Sequence, residues 1–206
     1  MKFILILSFL FSMTTNAMIF DLTKETKKLR VIYAAGFISE GDRDELERIL
    51  SQSSKKNILI LNSYGGLVTE MYDLINLVTS AQFDVHLGIA QDCASACVPF
   101  FASVPIKRRF MFSDSQIGIH AVHLNLTGSI TIIHKAETQK IVDFLKDKIS
   151  FEWLEKNKQY FFKKEITYFS ADELMRDSAG FVLKNRIYPA ISDDYTLDHF
   201  IKDFKK

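Results

Sequence analysis

The sequence predicts an α/β fold built mainly on parallel strands in repeated strand-helix units, and three observations carry that prediction. Short apolar, β-branched runs alternate with stretches of helical period in the order strand, helix, strand, helix, strand. Several runs end in glycine or small polar residues, the chemistry of a turn beyond a strand's carboxyl end. The 206 residues, 48% hydrophobic and 13% aromatic, hold enough apolar matter for one well-packed core. No repeat, low-complexity tract or Pro/Gly-rich linker divides the chain.

Taken in order, the chain opens with Lys2, an apolar run from Phe3 to Met13, and Thr14-Thr15-Asn16-Ala17. A charged start, an apolar centre and a small-residue end predict a signal peptide over residues 1–17, cleaved after Ala17. The run is short for a membrane span, which needs ~20 apolar residues, so no stable span is expected after cleavage. Residues 18–206 are then a single domain, exported to the periplasm or secreted. Thr23 to Lys28 reads as a polar segment. Leu29 to Gly36 reads as a buried strand and Ser39 to Leu50 as a helix, with Ser39 or Asp42 as its cap. Asn57 to Asn62 is the second strand, and Thr69 to Ser80 a helix with Met71, Leu74, Ile75 and Val78 on one face. Phe83 to Ala90 is the third strand, entering a turn at Ser95 and a short helix through Ala102.

Lys107 to Phe112 and Gln116 to His123 read as two further strands, with Lys107, Arg108 and Arg109 on a solvated edge. His134 to Trp153 has the pattern of one long amphipathic helix. Ser170 and Glu173 form a capping box for another. The C-terminal tail carries Leu197, Phe200, Ile201 and Phe204 as an apolar stripe, expected to dock on its own domain. The formal charge of +1, from 26 basic and 25 acidic side chains, predicts no nucleic-acid partner.

Three stretches carry candidate chemistry, and each follows a strand. Ser95 lies between Ala94 and Ala96, midway between the chain's two cysteines, Cys93 and Cys97. Upstream is Ser63-Tyr64-Gly65-Gly66, and downstream Ile117-Gly118-Ile119-His120. A serine hydroxyl is a weak nucleophile until an imidazole takes its proton, and glycine lets backbone amides approach an oxyanion. The material is that of a serine hydrolase. In an exported chain Cys93 and Cys97 are candidates for a disulfide. Residues four apart on a helix hold their Cβ atoms ~5 to 6 Å apart, so a bridge requires Cys93 to lie before the helix starts. The alternative is two buried thiols. His123, three residues beyond His120 on one strand, should face the opposite side and is read as structural. His86, His134 and His199 have no partners at metal-ligand spacing, and no metal or other cofactor is expected.

In order and spacing, VIYAAGFISEGDRDEL, LNSYGGLVTEMYDLI, CASACVPFFAS, SDSQIGIHAVH and YFSADELMRDSAGFVL resemble the Clp protease proteolytic subunit, within the Clp/crotonase superfamily, and most of all its exported relatives. The resemblance covers about Leu29 to Ile187. It implies a peptidase acting on peptide or protein substrates and assembling as a homo-oligomer. It places the nucleophile at Ser95, the general base at His120 and the oxyanion hole at the amides of Gly66 and Ala96. The family's third residue, an aspartate, falls on Ile166, which leaves a Ser-His dyad or an incomplete triad, with Asp114 or Asp172 as substitute orienters. Tyr64 stands where the family usually has proline, and Gln91 where a glycine commonly begins the nucleophile turn. Three further readings follow: a non-catalytic binding or scaffold protein that kept the groove and lost the acid, crotonase-like acyl-CoA chemistry, which would be odd for an exported protein, and a Ser-Lys peptidase, which needs a lysine aimed at Ser95.

Overall fold

A computed structural model of the chain describes residues 17–127 and 130–205. The leader expected over residues 1–17 lies, apart from Ala17, outside the described residues. The chain forms β1 (Ile19–Glu25), β2 (Leu29–Ala35), α1 (Asp42–Leu50), β3 (Lys56–Ser63), α2 (Val68–Thr79), β4 (Val85–Ala94) and α3 (Cys97–Ala102). There follow β5 (Arg109–Phe112), β6 (Gln116–Ile119), β7 (His123–Thr127), β8 (Ile130–Ile133), α4 (Lys135–Leu145) and α5 (Phe151–Asn157). The last elements are β9 (Thr167–Ser170), α6 (Ala171–Arg176), β10 (Ile187–Tyr188) and α7 (Leu197–Phe204).

The main sheet runs β1-β2-β3-β4-β5-β10, with β6 joined to β4 and β9 to β6. Pairs β2–β3, β3–β4, β4–β5, β4–β6 and β5–β10 are parallel, whereas β1–β2 and β6–β9 are antiparallel. The apolar runs are continuous because both faces of the sheet are covered. In β3, Leu59 and Leu61 enter a core shared with α1 to α6, while Ile58 and Ile60 enter a second core under α7. Phe200, Ile201 and Phe204 of α7 fill that second core against Phe110, Phe112 and Tyr188. The C-terminal stripe thus docks on its own sheet. Among the described residues no helix is long and apolar enough to cross a membrane.

Several boundaries differ from the sequence reading. The polar segment at Thr23 is part of an exposed edge strand, β1, which has no buried face to impose alternation. The helix expected from His134 to Trp153 breaks after Leu145. Ser150 Oγ accepts from the Trp153 amide and starts α5 afresh. Arg109 is not on a solvated edge. It is 2% exposed, its Nε donates to Val104 O at 2.6 Å and its Nη1 to Lys148 O at 2.9 Å, so the guanidinium satisfies buried carbonyls between β5 and the end of α4. Burial pushes its pKa down to about 10. The strand expected from Gln116 to His123 ends at Ile119, and a separate hairpin, β7–β8, begins at His123.

Candidate active site

Strand β4 builds the site by serving three neighbours. It pairs with β3 as far as Cys93, with β5 through Leu87 to Ile89 and with β6 through Asp92 to Ala94. The chain then turns at Ser95, whose amide donates to Gly118 O at 2.9 Å and whose carbonyl accepts from Val98 N at 3.0 Å as α3 begins. Ser95 has φ +55°, the left-handed region that non-glycine residues adopt seldom and often at functional sites. The turn lifts its side chain out of the sheet. Cys93, in the strand, and Cys97, at the start of α3, are disulfide-bonded with Cα atoms 5.2 Å apart. The bridge spans the turn that carries Ser95.

The two glycines are required by contact as well as by conformation. Gly65 has φ +93°, and a Cβ there would stand 2.6 Å from Ser95 Cβ and 2.8 Å from Ala96 N. Gly66 has φ +148°, and its Cβ would stand 2.1 Å from Ile38 O. Backbone bonds fix this loop to the segment before α1, Ile38 N donating to Gly65 O at 2.7 Å and Leu67 N to Ile38 O at 2.8 Å. Among the described residues the amides of Gly66 and Ala96 donate to no acceptor. Unengaged amides flanking a serine are what an oxyanion needs.

His120 follows the end of β6 and lines the same cavity as Ser95, Ala96 and Gly66. The cavity, of about 860 Å³, is walled mainly by apolar side chains, Leu67, Val98, Pro99, Ile141 and Phe161 among them. Among the described residues the imidazole makes no hydrogen bond to Ser95, and its Nδ1 is buried without a partner. Burial, and secondarily the neighbouring His123, hold its pKa at about 4, well below the ordinary value. A base held that low is neutral at pH 7 but accepts a proton reluctantly.

The acid is absent from its expected place. Strands β6 and β9 pair Gly118 with Tyr168 and Ile119 with Thr167, so the next pair along sets Ile166 opposite His120, and both line the cavity. Asp114 and Asp172 do not substitute. Both lie beyond the Gln116–Ser170 end of the pair, roughly 13 Å of strand from His120 at ~3.3 Å per residue. No lysine lines the cavity among the described residues, which removes the support for a Ser-Lys arrangement.

One cavity residue escaped the sequence reading. His123 does not face away from His120: the two rings lie 5.0 Å apart, tilted by 50°, and both line the cavity. The chain leaves the strand at His120 to Val122, so the alternation of a continuous strand does not carry through to His123. No glycine or proline marks that break in the sequence.

A mainly parallel α/β sheet with a cavity at the carboxyl ends of its strands is the class of protein described so far. A family model for Clp protease matches residues 15–167, and the chain belongs to the Clp protease family, a family of serine peptidases that act on peptide or protein substrates and form oligomers. Among solved structures it is similar to an asparagine-to-aspartate mutant of ClpP1 from Listeria monocytogenes, at 18% identity over 81% of this chain and 93% of that one, with a TM-score of 0.57. At that identity the likeness establishes the fold. No curated protein matches the chain in sequence.

Proposed function

We propose that the chain is an exported serine peptidase of Clp type, active as a homo-oligomer. Ser95 Oγ attacks a peptide carbonyl while His120 takes its proton. The amides of Gly66 and Ala96 hold the oxyanion, His120 returns the proton to the leaving amine, and water releases the acyl-enzyme by the same steps in reverse order. The observation that carries the reading is the serine at φ +55°, seated on Gly65 with unengaged amides on either side and a histidine in the same cavity. A disulfide next to the nucleophile supports export, since such bonds persist in oxidising compartments.

The second reading, a binding protein without turnover, is favoured by one specific observation, the aliphatic Ile166 opposite the base. Labelling of the mature chain with a fluorophosphonate probe separates the two. The peptidase reading expects labelling of the wild type, none of Ser95→Ala, and a large loss in His120→Ala. A folded wild type that stays unlabelled from acid to mildly alkaline pH would leave the binding protein as the account.

A further inference from the structure

One buried polar atom in the site lacks an explanation. Nδ1 of His120 has no hydrogen-bond partner among the described residues, a costly state for a buried polar group. It becomes worse during the reaction, because an imidazolium carries a proton on both nitrogens. Across the strand pair, Ile166 offers nothing to receive it. The polar ring beside it is that of His123, 5.0 Å away between centroids.

His123 is prepared to accept. Its Nδ1 lies 3.1 Å from Ala121 O, and because a carbonyl only accepts, that nitrogen holds a proton, which makes Nε2 the acceptor nitrogen of the tautomer this contact selects. The Ala121 carbonyl, which accepts from His123, also lies near the His120 ring and favours its protonation, but it makes no hydrogen bond to the buried Nδ1. At this ring separation a modest rotation brings facing nitrogens within bonding distance, and catalytic hydrogen bonds commonly tighten only when substrate is bound.

We propose that His123 is a positioning residue of this site, its Nε2 accepting the Nδ1–H of His120 in place of the absent carboxylate. The bond holds His120 in the tautomer whose Nε2 is free to take the Ser95 proton. That proton moves from Oγ to His120 Nε2 and later to the leaving amine, while the Nδ1 proton stays on His120 throughout. The inference rests on the serine-peptidase reading above.

The test is the rate of fluorophosphonate labelling in wild type, Ser95→Ala, His123→Phe, His123→Gln, Ile166→Asp and the double variant His123→Phe with Ile166→Asp, each checked for folding by thermal melting. Phenylalanine keeps the ring and removes the acceptor, so His123→Phe is expected to lower the rate roughly tenfold. Glutamine keeps an acceptor, and His123→Gln is expected to retain most of the rate. Ile166→Asp supplies a carboxylate opposite His120 and is expected to raise the rate above wild type and to restore it in the double variant. A role in packing alone predicts equal losses in the Phe and Gln variants. Equal losses in the Phe and Gln variants, a wild-type rate in His123→Phe, or a folded double variant as slow as His123→Phe would each overturn the inference. If the Asp variants do not fold, the Phe–Gln comparison decides. Labelling that depends on Ser95 but not on His123 would sink this inference alone, whereas a folded wild type without labelling would sink the peptidase reading beneath it.

Discussion

At the scale of single residues, the site depends on a serine held at positive φ and on a glycine pressed against it. Gly65→Ala would put a methyl group 2.6 Å from Ser95 Cβ and 2.7 Å from Ala94 O at φ +93°. The backbone there cannot yield without moving Ser95, the proposed nucleophile. Labelling at Ser95 is expected to fall by at least about tenfold, with stability lower by ~1 to 3 kcal/mol, read by probe kinetics and denaturant unfolding on the same preparation. The base gives a second prediction. His120 must be neutral to accept a proton, and burial pushes its pKa down to about 4. Protonation therefore sets in only as pH falls toward that value, and labelling is expected to stay level from about pH 8 down to about pH 5 and to fall below it. An imidazole in water would already lose activity near its ordinary value of about 6.5. A fall centred there would contradict the burial argument.

At the scale of elements, the legible parts were those whose neighbours leave a periodic trace. Each of Ser63 to Gly66, Ser95 and His120 follows an apolar run, so their convergence at strand ends could be argued from order alone. What stayed hidden had no local mark. The edge strand β1 is too exposed to alternate, the α4–α5 break is made by the Ser150 cap without glycine or proline, and Arg109 in a run of basic residues turns inward to bond buried carbonyls. His123 was misplaced for the same reason, a strand break without a sequence signal. Two elements carry tests. The Cys93–Cys97 bridge ties the end of β4 to the start of α3 across Ser95. It closes a very short loop, and replacing both cysteines by alanine is expected to cost about 2 kcal/mol while reducing labelling more than the modest fall in melting temperature explains. Helix α7 covers its own face of the sheet through Phe200, which is fully buried and in ring contact with Phe110, Phe112 and Tyr188. Phe200→Ala is expected to destabilise the fold by ~3 to 5 kcal/mol and to leave the labelling rate of the protein that remains folded near wild type, because α7 lies on the face away from the cavity.

At the scale of the whole molecule, the sheet brings loops distant in sequence to one apolar cavity, which we propose as the seat of the chemistry of the family the chain belongs to. The cavity carries an aliphatic residue, Ile166, across the strand pair from His120, the proposed base, and a second histidine, His123, beside it. On the proposed reading, Ile166 in place of a carboxylate predicts slow acyl transfer, since removing the orienting charge from a serine-protease triad costs ~10⁴ in turnover. The most direct test of the central claim is to treat the purified chain with a fluorophosphonate and locate the adduct by peptide mass mapping. The account predicts one modified residue, Ser95, with the adduct absent from Ser95→Ala and strongly reduced in His120→Ala. An adduct elsewhere, or none on folded protein, would contradict it.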